Sequence, residues 1–180
     1  KVGYLALLIL LAALCFQLGR RVGARSARAA DSEDFYPTWA ATAHQAESLR
    51  VLDTDSALGR LSLRPKELTL KDLARVHGHL CDGLVISWIA LRAALRELYP
   101  QGVVDRTDLR VVSKNGPCWV DAAAWTTGAR ISHGTLILDN TVGDGFIIQR
   151  VSTGETVRVW LRSGVFPAEL TELERSIRSR

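Results

Sequence analysis

Residues Val2 to Gly19, VGYLALLILLAALCFQLG, contain no charged side chain. As a helix this run spans roughly 27 Å, close to the hydrocarbon thickness of a bilayer. A secretory apolar core is shorter, at about 7–15 residues. The small-residue stretch Ala27 to Ala30 resembles a cleavage site, but the arginines directly after the run do not suit one. We therefore expect residues 1–19 to form a transmembrane helix, with the membrane as a partner through residues 2–19. Arg20, Arg21, Arg25 and Arg28 follow it and only Lys1 precedes it. By the positive-inside rule the rest of the chain then lies on the cytoplasmic side of the inner (cytoplasmic) membrane. A periplasmic domain is the alternative if further positive charge precedes Lys1.

Residues 20–38 read as a juxtamembrane linker that passes from basic (RRVGARSAR) to acidic (DSEDF). Four more arginines, Arg158, Arg162, Arg175 and Arg178, fall near the C-terminus, and the middle of the chain is nearly balanced. The net charge of +4 thus comes from the ends of the chain. No basic stripe interleaved with aromatic residues is present, which excludes a nucleic-acid partner.

A helix is expected over Thr38 to Asp53, with Trp39, Ala43, Ala46 and Leu49 on one stripe and His44 beside it as a structural residue. Thr69 and Asp72 have capping-box spacing at the start of a second helix, which Gly78 ends. Leu84, Trp88, Leu91, Leu95 and Leu98 recur at three-to-four spacing, widened by Val85 and Ile89. They predict a long amphipathic helix over Asp82 to Tyr99, stopped by Pro100 and Gly102. Leu109 to Ser113 reads as a strand and Trp119 to Gly128 as a short helix. Thr135 to Asp139, Gly145 to Val151 and Thr156 to Leu161 read as strands. Tight turns between short strands imply antiparallel pairing. The expected class is α+β: an N-terminal transmembrane helix, then helices packed on a small antiparallel sheet over residues 39–165, and a polar helix over 166–180 able to meet a partner.

The chain has only four histidines and three cysteines. Cys15 sits in the apolar run as a small hydrophobe. The segment VHGHLCDG, Val76 to Gly83, holds His77, His79 and Cys81. Imidazole and thiolate are the donors that zinc and other transition metals prefer. Cys118 stands at a helix start with Asp121 one turn on, where the helix N-terminus should lower the thiol pKa. That suits a metal ligand or a nucleophile. Asp121 could ligate, orient a histidine or cap its own helix. His133, in the loop GARISHGT, could be a fourth ligand, an acid–base group or a solvated loop residue.

HGHLCDG followed by CWVDAAAWTTGARISHGTL resembles the FmdE family, which takes its name from molybdenum formylmethanofuran dehydrogenase. The family reads approximately H-G-H-x-C-P-G, then C-x-x-D-A, then T-G-C-T-x-G-K-G-x-L. The resemblance runs from about Leu68 to Leu161. It implies an α+β core with a metal site, zinc or another transition metal, at His77, His79, Cys81, Cys118 and Asp121. Asp82 stands where the family has proline, Ala129 where it has cysteine, Ser132 where it has glycine and His133 where it has lysine. No cysteine follows Cys118, whereas many members carry a cysteine-bearing zinc-finger extension.

Together these features predict a membrane-anchored accessory or structural subunit of a larger membrane redox or energy-conversion complex, built on a metal-binding domain and more a non-catalytic subunit than an enzyme. Two alternatives remain. One is a zinc-dependent enzyme whose ion is held by His79, Cys81 and Cys118, with His77, Asp121 or His133 as the catalytic acid–base group. The other is a thiol redox protein that pairs Cys81 with Cys118.

Overall fold

The computed structural model describes residues 36–52 and 62–179. Val2 to Gly19 and nearly all of the linker, the segments behind the membrane-anchor expectation, lie outside the described residues. Among the described residues no helix is long and apolar enough to cross a membrane.

Helix α1, Thr38–Ala41, lasts one turn. A 3-10 turn at His44–Ala46 follows, and then strand β1, Leu49–Val51. The single helix expected over Thr38 to Asp53 is thus replaced. Ala43 is extended, and Leu49 and Val51 are buried on one side of a strand with Arg50 exposed between them. Strand pairing outweighs the helix propensity of the segment here. Trp39 is exposed, and the His44 side chain is 90% exposed rather than structural. β1 pairs antiparallel with β2, Lys66–Leu68, and parallel with β3, Val103–Val104. Glu47, just before β1, accepts from Arg92 Nη2 at 2.6 Å and also from Arg96, which ties this sheet to the long helix.

Helix α2, Leu70–His77, opens on the expected capping box. Thr69 Oγ1 accepts from the Asp72 amide at 3.1 Å, and Asp72 Oδ2 accepts from the Thr69 amide at 3.0 Å. Gly78, at φ 103°, ends it by donating its N–H to Ala74 O at 2.8 Å. Helix α3, Asp82–Leu98, buries Leu84, Trp88, Leu91, Leu95 and Leu98, as their spacing predicts. Val85 flanks the stripe, whereas Ile89 faces solvent. Tyr99 closes the helix under a lid: its hydroxyl donates to Asp105 O at 3.2 Å, and the Arg150 guanidinium lies 4.7 Å over its ring.

The second sheet has the order β5-β4-β6-β7, with β4 at Leu109–Ser113, β5 at Leu136–Leu138, β6 at Gly145–Arg150 and β7 at Thr156–Trp160. Leu136, Val111, Ile148 and Val157 form one cross-strand row on its inner face. The purely antiparallel sheet expected from the tight turns is not found: β4 and β5 run parallel. Between them lies helix α4, Pro117–Thr127, and a helical crossover is what joins parallel neighbours. The architecture is therefore α+β with two small mixed sheets. α3 packs against α4 and across β6 and β7, and α4 also packs on α2. Helix α5, Ala168–Arg178, follows the sheet. Its Leu170 lines one cleft with Ile86, Leu161 and Phe166, while Leu173 and Ile177 are exposed.

β7 lies close against Gly145 of β6, where an added Cβ would be 2.2 Å from Val159 O and 2.8 Å from Trp160 Cα. Both obstacles are backbone and cannot rotate away. Gly145→Ala is expected to destabilise the domain by about 3 kcal/mol, at the top of the usual range for point substitutions, as measured by urea unfolding.

Candidate metal centre

Three helix ends meet at one place. α2 ends at His77, a short turn through Gly78 and His79 leads to Cys81 at the N-cap of α3, and α4 begins at Pro117 with Cys118 next. Because α4 packs on both α2 and α3, its first turn lands on that junction. Gly83 permits the approach, since an added Cβ there would sit 3.0 Å from Cys118 Sγ.

The donors form a near-equilateral triangle. Cys81 Sγ lies 3.5 Å from Cys118 Sγ and 3.8 Å from His77 Nε2, and Cys118 Sγ lies 3.7 Å from His77 Nε2. Tetrahedral zinc with Zn–S and Zn–N bonds of about 2.3 and 2.0–2.1 Å requires S···S near 3.8 Å and S···N near 3.6 Å. The triangle matches those edges to within a few tenths of an ångström. His79 is exposed, with its ring 4.9 Å from that of His77, and the ligand atoms of His77, His79 and Cys81 all lie within 4.8 Å of one another. Two overlapping donor groups thus share His77 and Cys81. Cys118 makes the tighter group and His79 the looser one.

Asp121 does not cap its own helix but meets His77. Its Oδ2 lies 2.8 Å from His77 Nδ1, and the His77 side chain is only 6% exposed. A carboxylate can only accept here, so Nδ1 donates, and Nε2 is the ring nitrogen that faces the two sulfurs. This carboxylate–histidine pair is the arrangement that orients a metal-bound imidazole. Asp121→Asn is expected to weaken metal binding about 10–100-fold with little change in fold, as read by competition with a chelator of known affinity.

Burial, rather than the helix N-terminus, decides the state of Cys118. Desolvation, with Cys81 beside it, pushes its thiol up to about 11, opposite to the lowering expected from its position. Without metal Cys118 is a neutral thiol at pH 7, which does not suit a free nucleophile. Coordination requires thiolate, so metal uptake displaces a proton and strengthens as pH rises.

His133 is not brought to this group. It lies in an exposed 3-10 turn, Ile131–His133, and Arg130 just before it reaches back to Ala124 at the C-terminal end of α4. Cys118 is at the other end of an 11-residue helix, about 16 Å long. Ala129, at the family's third cysteine position, is buried at that same far end.

Residues 76–180 match the family model described as FmdE, Molybdenum formylmethanofuran dehydrogenase operon. The match covers more than half of the chain and begins one residue before His77. The chain belongs to the FmdE family. The FmdE match starts later than the expected Leu68 and runs through α5 to the C-terminus, beyond the expected Leu161. All four candidate donors and Asp121 lie inside it. No curated protein and no solved structure matches the chain.

Proposed function

We propose that the chain is a metal-binding accessory subunit of a larger membrane redox or energy-conversion complex. In this reading zinc or a similar transition ion is held by His77 Nε2, Cys81 and Cys118 and completed by His79. The supporting observation is the triangle of one nitrogen and two sulfurs with edges of 3.5, 3.7 and 3.8 Å, set by three separate helix ends and oriented by Asp121. Four protein donors close a tetrahedron, which is the structural form of a zinc site. The ion would then pin α2, α3 and α4 together where their ends meet.

The exposure of His79 favours one second reading. If it leaves the ion, the fourth position admits water and the site takes the open form of a zinc enzyme. His77 is then a ligand and not the acid–base group. The chain, prepared anaerobically in detergent, should carry close to one metal ion and elute with additional subunits. Wild-type chain without stoichiometric metal removes both readings. A metal-bearing chain that elutes alone removes the subunit role.

A further inference from the structure

The two sulfurs of the metal centre are also placed to meet each other. Cys81 Sγ and Cys118 Sγ stand 3.5 Å apart, and neither is in a disulfide. An S–S bond is about 2.0 Å long, so closure needs an approach of only about 1.5 Å. Each cysteine sits on its own helix, Cys81 at the N-cap of α3 and Cys118 in the first turn of α4. Both are half-buried rather than sealed. The turn that carries Cys81 runs through exposed His79, which leaves the pair within reach of a small neutral oxidant.

Closing that bond would change what each helix holds. α2 itself supplies only His77 to the site, whereas α3 supplies Cys81 and α4 supplies Cys118. A disulfide would keep α3 and α4 joined where the ion joins them. α2 would stay tied to α4 through His77 Nδ1 and Asp121 Oδ2, at 2.8 Å, and its Leu70, Leu73 and Ala74 would stay in the core. The ion, by contrast, would lose both sulfur donors at once. Thiolate is the form that binds metal, and a disulfide has none. Only the imidazoles of His77 and His79 would remain as donors. The junction therefore has two closed arrangements that use the same sulfurs and exclude each other.

We infer that Cys81 and Cys118 form a reversible oxidation site, at which hydrogen peroxide converts the two thiolates to a disulfide and expels the ion. The inference rests on the metal reading above and adds its regulation: the thiols are a switch on metal occupancy, not an electron carrier for a substrate. The Cys81 thiolate attacks one peroxide oxygen. The O–O bond breaks, hydroxide leaves, and Cys81 becomes a sulfenic acid. The Cys118 thiolate then attacks the Cys81 sulfur, the S–O bond breaks, and a second hydroxide leaves as the S–S bond forms. The two sulfurs together lose two electrons. The peroxide takes them and, with two protons from solvent, ends as two waters. The sequence balances equally if Cys118 reacts first. A second sulfur at 3.5 Å captures the sulfenic acid before it passes to the irreversible sulfinic acid.

The test is titration of the full, zinc-loaded chain with hydrogen peroxide. Zinc content is measured first, release is followed with a chromophoric chelator, and the cysteines are mapped by peptide mass spectrometry without reductant. Each peroxide consumed is expected to release about one zinc ion and to remove about two thiols, with Cys81 and Cys118 recovered as one linked pair. The oxidised chain should bind zinc roughly a hundredfold more weakly or worse, and a phosphine reductant should restore the starting affinity. Cys15→Ser should behave as wild type, since Cys15 takes no part in the pair. A chain that starts without zinc overturns the metal reading and this inference with it. Zinc retained while peroxide is consumed, a sulfinic acid in place of the linked pair, a disulfide through Cys15, or zinc binding that reductant does not restore would each overturn the switch and leave the metal reading standing.

Discussion

Cys118→Ser is expected to weaken metal binding by well over a hundredfold while α4 keeps its place. The substitution conserves size but removes one of two sulfurs that stand 3.5 Å apart at the ends of different helices. Losing an orienting partner such as Asp121 costs about 10–100-fold, and losing a ligand itself should cost more. The loss should also appear as stability. A ligand present at a hundred times its dissociation constant stabilises the folded state by about 2.7 kcal/mol, and that contribution disappears with the affinity. Metal-loaded wild type should therefore melt above its chelator-treated form, while Cys118→Ser should melt alike with and without metal. Isothermal titration and thermal melts with added zinc check both parts. A variant that retains wild-type affinity would remove Cys118 from the ligand set.

The second large effect is on the core. Trp88 is 0% exposed at the middle of α3, between the helices and the sheet. Trp88→Ala is expected to cost about 3–5 kcal/mol. Single domains hold only about 5–15 kcal/mol in total, so the variant should be close to unfolding. Ile89→Ala, one position along the same helix, should change stability by less than about 0.5 kcal/mol because Ile89 faces solvent. Urea unfolding of the pair separates burial from helix propensity. Since α3 carries Cys81 at its N-cap, the Trp88 variant should also lose metal affinity, without any change to a donor atom.

How much of this was legible in the sequence follows from the range of each signal. The α3 stripe and the Thr69–Asp72 cap are local and were readable. The rule that period and capping residues set a helix needs only neighbours in the chain. β1 is three residues long in a segment of good helix formers, and it exists because β2 and β3 pair with it. The parallel pairing of β4 and β5 was hidden for a similar reason. The tight-turn argument describes hairpins, and α4 intervenes here.

At the site, scarcity singled out residues that the fold brings together, but not their arrangement. His77, Cys81 and Cys118 stood out because histidine and cysteine are rare in the chain. Whether His77 or His79 faces the sulfurs depends on where α4 delivers Asp121, which is 44 residues away from His77. The same distance problem misplaced His133. Its chemistry suits a ligand, but the length of α4 puts it at the opposite end, beside Arg130. The raised Cys118 thiol was also unreadable, because burial is a tertiary property that opposed the helix-terminus effect.

In the proposed site one ion sits between three helix ends with two sulfurs in its shell. X-ray absorption at the edge of the bound metal, on chain prepared anaerobically, measures that shell directly. The expected result is two sulfur scatterers at about 2.3 Å and two nitrogen scatterers at about 2.0–2.1 Å, with one sulfur lost in Cys118→Ser. A shell of oxygen and nitrogen alone, or one unchanged in Cys118→Ser, would contradict the account.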